Sequence, residues 1–128
     1  MLANNFRELE VYKLSRMVSK EIFEASKSFP KEEMYSLTDQ VRRSSRSVGA
    51  QIAEAWGKRR YEKHFISKLT DAEGEQLETQ HWIENATDCN YLSKESAQAL
   101  ITKCESIGKM LNVMISKSSS FCLKATTK

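Results

Sequence analysis

Seven basic side chains crowd one part of this 128-residue chain: Arg42, Arg43, Arg46, Lys58, Arg59, Arg60 and Lys63. A guanidinium holds two phosphate oxygens through its planar fork, while an ammonium acts as a point charge. Tyr61 stands among them and could stack on an unpaired base. The chemistry open to this set is non-covalent neutralisation of the phosphates of RNA or DNA. The charge is local. Residues 42–68 carry a net +6, against −1 for residues 1–41 and −2 for residues 69–128, within a total of +3. Such a concentration points to an anionic partner. Two plainer readings stay open. The patch can be a solvated helix surface, or its arginines can pair with Asp39, Glu54, Asp71, Glu75 or Glu78, within the chain or across a subunit contact.

Other reactive residues make a thinner case. Glu78-Thr-Gln-His81 has the Glu-x-x-His spacing of di-iron bundle sites. A second such motif is missing, because Tyr61 stands where His64 would need its glutamate. His81 is therefore read as a surface or interface residue and no metal is expected. Asp71, Glu75 and Glu78 form an i, i+4, i+7 acidic line. Carboxylate pairs can do acid–base work, but no nucleophile motif, phosphate loop or cofactor fingerprint accompanies them. A strip that pairs with the arginine-bearing helix is the expectation, and no enzyme activity or cofactor is expected.

These side chains need helices to position them. Leu37, Val41, Val48, Ile52 and Ala55 fall on one side of a helix over 36–56, with Trp56 at the edge. Arg42, Arg43 and Arg46 fall opposite, with small Gly49, Ala50 and Ala53 further along. Ser36 to Asp39 resembles a capping box, and Gly57 is placed for a left-handed C-cap. A first helix over 7–28 carries a core stripe of Val11, Leu14, Val18, Ile22 and Ala25, and Pro30 ends it. Leu9, Tyr12 and Phe23 lie off that stripe and, with Gly49, Ala50 and Ala53, are candidates for a subunit interface. A third helix over 61–91 carries polar Gln76 and Thr79 on its seam. Ser93 caps a fourth over 93–117, and 118–128 reads as a frayed tail on which Phe121 and Leu123 could dock.

Composition agrees with one soluble all-helical domain. There are one proline and four glycines, and no apolar run long enough to span a membrane. The opening MLANNFRELEVYK lacks a signal-peptide core. Cys89, Cys104 and Cys122 are odd in number and without CxxC spacing, so reduced thiols and a cytoplasmic location are expected. Four amphipathic helices with short connectors give an antiparallel up-down-up-down four-helix bundle spanning 1–128.

FRELEVYKLS at 6–15, FP at 29–30, LTDQVRRSSRSVGAQIAEAWGKR at 37–59 and DAEGEQLETQHWIENATDCNYL at 71–92 then resemble a known family. It is the bacterial four-helix bundle family encoded in intervening sequences of 23S ribosomal RNA genes. The resemblance implies a ring-like homopentamer. It also implies relatedness to the accessory protein of diversity-generating retroelements, a pentameric bundle thought to bind nucleic acid. Many members resemble IAEG before a polar turn, whereas this chain has Ala55-Trp56-Gly57, which leaves the turn after the second helix open. The expected function is a non-enzymatic homo-oligomer whose basic surface binds nucleic acid, with structured RNA expected ahead of DNA. The alternative is an adaptor that contacts only proteins. Neither reading includes a membrane or a small-molecule substrate.

Overall fold

The computed structural model describes residues 3–123. Four long helices follow one another: α1 (Glu10–Ser26), α2 (Asp39–Gly57), α3 (Glu62–Asp88) and α4 (Lys94–Ser116), with a short α5 (Ser118–Phe121). Short connectors make neighbours antiparallel. α2 packs on α1 and α3, and α4 closes the ring against α3 and α1. This is an all-α four-helix bundle.

The apolar stripes meet at its centre. Val11, Val18 and Ile22 of α1, Val41, Val48, Ile52 and Ala55 of α2, Phe65, Leu69, Ala72, Ile83 and Ala86 of α3, and Leu100, Cys104, Ile107 and Leu111 of α4 are all buried. Leu9 joins them at 9% exposure, which corrects its placement on an outer flank. A helical wheel does not apply to it. α1 begins at Glu10, and Leu9 is the extended N-cap residue, with φ −70° and ψ 131°.

Helix ends differ from the sequence reading in three places. Residues 31–33 form a 3-10 turn and Met34–Thr38 a π turn before α2, so Ser36 is not its cap. Glu33 takes that role. Its carboxylate accepts from the Leu37 N–H, the Ser36 hydroxyl and the Tyr91 hydroxyl. Those bonds, Ser36 first, hold Glu33 below its ordinary pKa, and Glu33 in turn pushes Tyr91 up to about 12. Gly57 is the last helical residue of α2, with no left-handed φ; that conformation falls to Asn90 (φ 63°) after α3. Finally, 118–121 is ordered. Ser118 is buried and donates to Glu62, Phe121 stacks on Phe65 at 6.0 Å, and the Leu123 N–H donates to the Arg59 carbonyl at 3.0 Å. The rest of the expected tail, 124–128, lies outside the described residues.

Ser93 caps α4 through its side chain, which accepts from the Ser96 N–H at 3.1 Å. The polar seam of α3 is buried and partnered. Thr79 bonds Ser44 of α2 at 2.9 Å, and Gln76 accepts from Gln80 at 2.8 Å. Buried Ser15, Ser26 and Ser45 each bond a carbonyl one turn back in their own helix. Their small side chains let α1 approach α2 at Gly49. A methyl added at Gly49 would sit 3.0 Å from Ser15 Oγ and 3.5 Å from the Tyr12 ring, whereas one at Gly74 meets nothing within 4 Å. Gly74→Ala should therefore raise unfolding free energy in urea by about 1 kcal/mol, the ordinary helix-propensity gain. Gly49→Ala should fall short of that by roughly 1 kcal/mol or more, because the buried Ser15 must give way. Equal gains would mean that α1 and α2 are not in close contact there.

Candidate nucleic-acid interface

The bundle divides the seven basic residues into groups with different commitments. Arg43 points across to α3. Its guanidinium lies 2.5 Å from Glu78 and 3.3 Å from Glu75. Trp82 also donates to Glu78, at 2.9 Å. That indole bond first, then Arg43, draws the Glu78 carboxyl below its ordinary value, while Glu78 raises Arg43. Arg43 is therefore a strut between helices. The acidic line contributes Glu75 and Glu78 to it, and Asp71 lies 3.7 Å from Lys68.

Arg42 and Arg46 turn the other way, onto Phe23 of α1. Their guanidinium carbons lie 4.7 Å and 5.4 Å from the ring centroid, and the Lys27 ammonium lies 5.0 Å from it. Arg42 Nε also donates to Ser26 Oγ at 2.8 Å. No carboxylate lies within ion-pair distance of Arg42 or Arg46 among the described residues. Arg59 folds back on Trp56, 3.6 Å from the ring centroid, and donates to the Trp56 carbonyl. Lys58, Arg60, Tyr61 and Lys63 are exposed around the α2–α3 turn. That turn is about 24 Å from Arg42 along the α2 axis, at 1.5 Å per residue. The seven residues do not make one patch.

The candidates for a subunit interface acquire partners inside the chain. Tyr12 packs edge-on against Phe6 at 4.9 Å and touches the Gly49 site. Phe23 is occupied by its three cations. Ala50 and Ala53 remain on the surface and line a shallow groove between α1 and α2, about 200 Å³ in volume, with Arg16, Ser19 and Arg46.

That groove exposes what the sequence reading missed. Arg16 and Lys20 of α1 sit on the helical face that also carries Tyr12, Phe23 and Lys27. A second hollow of about 530 Å³, lined by Arg7, Lys13, Arg16 and Lys20, adjoins the groove through Tyr12, Arg16 and Ser19. No carboxylate lines either hollow. The signal was hidden because residues 1–41 carry a net charge of −1. Glu21 turns away to pair with Lys103 of α4 at 2.7 Å, while Glu24 pairs with Lys27 of this face at 3.2 Å and Glu10 with Lys13 at 3.4 Å, which leaves Arg16 and Lys20 without an ion pair among the described residues. A helical-wheel charge count over α1 would have found the face.

His81 is exposed beside Trp82. Among the described residues no group of three His, Cys, Asp or Glu side chains could hold a metal ion. Cys104 is buried, which pushes its thiol up to about 12, and burial also raises Cys122. Neither is poised as a nucleophile. No helix among the described residues is long and apolar enough to cross a membrane.

The family model described as 23S rRNA-intervening sequence protein matches residues 7–113. The chain belongs to that family. The match covers α1 to α3, nearly all of α4, and with them the whole basic face. A solved structure agrees. It is the crystal structure of a protein of unknown function from the S23 ribosomal protein family of Bacteroides thetaiotaomicron. It is 28% identical, covers 83% of this chain and 95% of its own, and superposes with a TM-score of 0.75. No curated protein is significantly similar to the chain.

The Arg43–Glu78 strut has a pH signature. The folded-state pKa of Glu78 lies below the ordinary 4.5, so its contribution to stability is complete above that pH and is lost as pH falls through the folded value. Glu78→Gln should lose well under about 1 kcal/mol at neutral pH, since the pair is partly solvated. The gap from wild type in urea midpoints should close in acid. A gap that stays constant with pH would show that the carboxylate charge has no part in it.

Proposed function

We propose that this protein is a non-enzymatic RNA-binding module whose α1–α2 face, Arg16, Lys20, Arg42 and Arg46 around Phe23, grips the phosphate backbone. The observation that supports it is the sorting of charge. Glu21 and Glu24 of α1 and Glu75 and Glu78 of α3 are held in ion pairs with Lys103, Lys27 and Arg43, and no carboxylate lines the hollows of this face, although Glu10 pairs with Lys13 at the edge of one of them. Like charges one helical turn apart, as at Arg42 and Arg46, cost a few tenths of a kcal/mol. Phe23 offsets part of that through its ring face. A polyanion laid along the face would offset more. The family's description ties it to intervening sequences of 23S rRNA, which favours RNA as the polyanion. In a homo-oligomer the face would be repeated, and repeated weak contacts multiply affinity.

Replacing Arg16, Lys20 and Arg46 together by Gln removes three cations from exposed positions. Binding of a structured RNA, measured across a salt series, should weaken, and the log–log slope should become shallower by about 2 to 3. Lys109→Gln on exposed α4 should change neither. The helical content and mass of the triple variant are read in the same buffers. Unchanged affinity in a folded variant would remove this face. A fall in mass with no RNA binding by wild type would favour the adaptor reading, with the arginines serving assembly.

A further inference from the structure

The corner between α2 and α3 holds a second basic site that the α1–α2 face does not include. Lys58, His64, Ser67 and Lys68 line an open cavity of about 200 Å³ there. Tyr61 stands beside His64, their ring centroids 5.4 Å apart and their planes at 60°. The Tyr61 side chain is 60% exposed and makes no capping bond to α3. Arg60 and Lys63 flank it, both exposed and without an ion pair among the described residues.

The lining can donate throughout. Two ammonium groups, a hydroxyl and an imidazole suit an oxyanion. Glu54 is the carboxylate that opposes this. It is held by Lys68 at 2.8 Å, and Lys68 also reaches Asp71 at 3.7 Å. Lys68 is shared between the two acids, and Lys58, whose charge also acts on Glu54, makes no ion pair of its own among the described residues. Glu62, next to Tyr61, is taken up by the Ser118 hydroxyl. The corner therefore pairs an oxyanion cradle with an exposed aromatic face, and each lies within one side chain's reach of His64.

We propose that this corner receives one unpaired nucleotide, its phosphate at Lys58 and His64 and its base on Tyr61. The inference rests on the RNA reading above and names the feature of the RNA that the corner selects. A fully paired helix offers phosphates but keeps its bases stacked inside, so only a loop, bulge or strand end can use both parts. Stacking of this kind tolerates any base. A free mononucleotide carries the same two groups, so the test separates the two sources.

The experiment compares two RNAs of equal length, a hairpin with an unpaired loop and a blunt duplex, bound to wild type, Tyr61→Leu and Tyr61→Phe. Tyr61→Leu should weaken hairpin binding about tenfold and leave duplex binding as it was. Tyr61→Phe should keep most of the hairpin affinity, because the ring remains. Circular dichroism confirms that each variant is folded. Equal loss on both RNAs, or no loss on either, overturns the proposal while leaving the α1–α2 face intact. A wild type that binds neither RNA overturns both. AMP is then added as competitor. Displacement of the hairpin from wild type by AMP, absent in Tyr61→Leu, supports the corner as a site for free nucleotides as well. Hairpin binding that AMP leaves unmoved supports it as a reader of RNA.

Discussion

α2 is clamped between α1 and α3, and that double burial decides where charge can be on the molecule. Val41, Val48, Ile52 and Ala55 face the core, and Ser44 and Ser45 are buried beside them. Only one narrow strip of α2 stays outside. Charged residues on it must either reach across to a neighbouring helix or remain on the surface with what α1 provides. Arg43 does the first and meets Glu75 and Glu78. Arg42 and Arg46 do the second and settle on Phe23. The Ser44–Thr79 bond ties α2 to α3 in the register that sets this division, beside the bonds each hydroxyl makes to a carbonyl of its own helix. A slide of one turn, about 5.4 Å, would leave both hydroxyls buried without each other.

The same constraint explains why net charge misleads in this chain. The stretch with the highest net charge, 42–68, loses Arg43 and Lys68 to carboxylates and Arg59 to an indole. The stretch with a slight negative balance, 1–41, supplies Arg16 and Lys20 to a basic hollow that no carboxylate lines. Charge available to a ligand is charge not already answered within the fold. Glu21 meets Lys103 across the α1–α4 seam, which moves a carboxylate away from the α1–α2 side. Pairing on one seam thus sharpens the field on the other.

Much of this was legible beforehand, for a physical reason. The apolar stripes of the four helices have the period of the helix itself, so helix number, order and most core positions follow from spacing alone. The family resemblance rested on the same stretches that the family model matches. The helix ends were harder. Ser36 looked like a cap, but Glu33 reaches three donors at once and wins. Gly57 does end α2, but without the left-handed conformation expected of it, which Asn90 adopts after α3. Leu9 was misplaced because a wheel was extended one residue beyond the helix. The site was the least legible part. Which of two solvent-side neighbours an arginine chooses depends on tertiary packing, and no periodicity encodes it. Phe23 is the instructive case: its place off the core stripe was legible, but its role within the chain as a platform for three cations was not.

Separation between the two basic sites constrains how any polyanion can engage them. Arg42 and Lys58 are about 24 Å apart along α2. At physiological salt the screening length is about 8 Å, so neither site feels much of the other's field. Their contributions to binding then add, and neither reinforces the other. A ligand that occupies only one site gains from one set of phosphate contacts, and a mononucleotide cannot bridge them. A ligand that occupies both must be long enough to run the length of α2 and must present an unpaired nucleotide at one end of that run. Neither requirement concerns base identity. On the proposed RNA reading, the selectivity of this surface would be one of shape, a paired segment next to an unpaired one, with affinity set by how many phosphates lie within reach of the free cations.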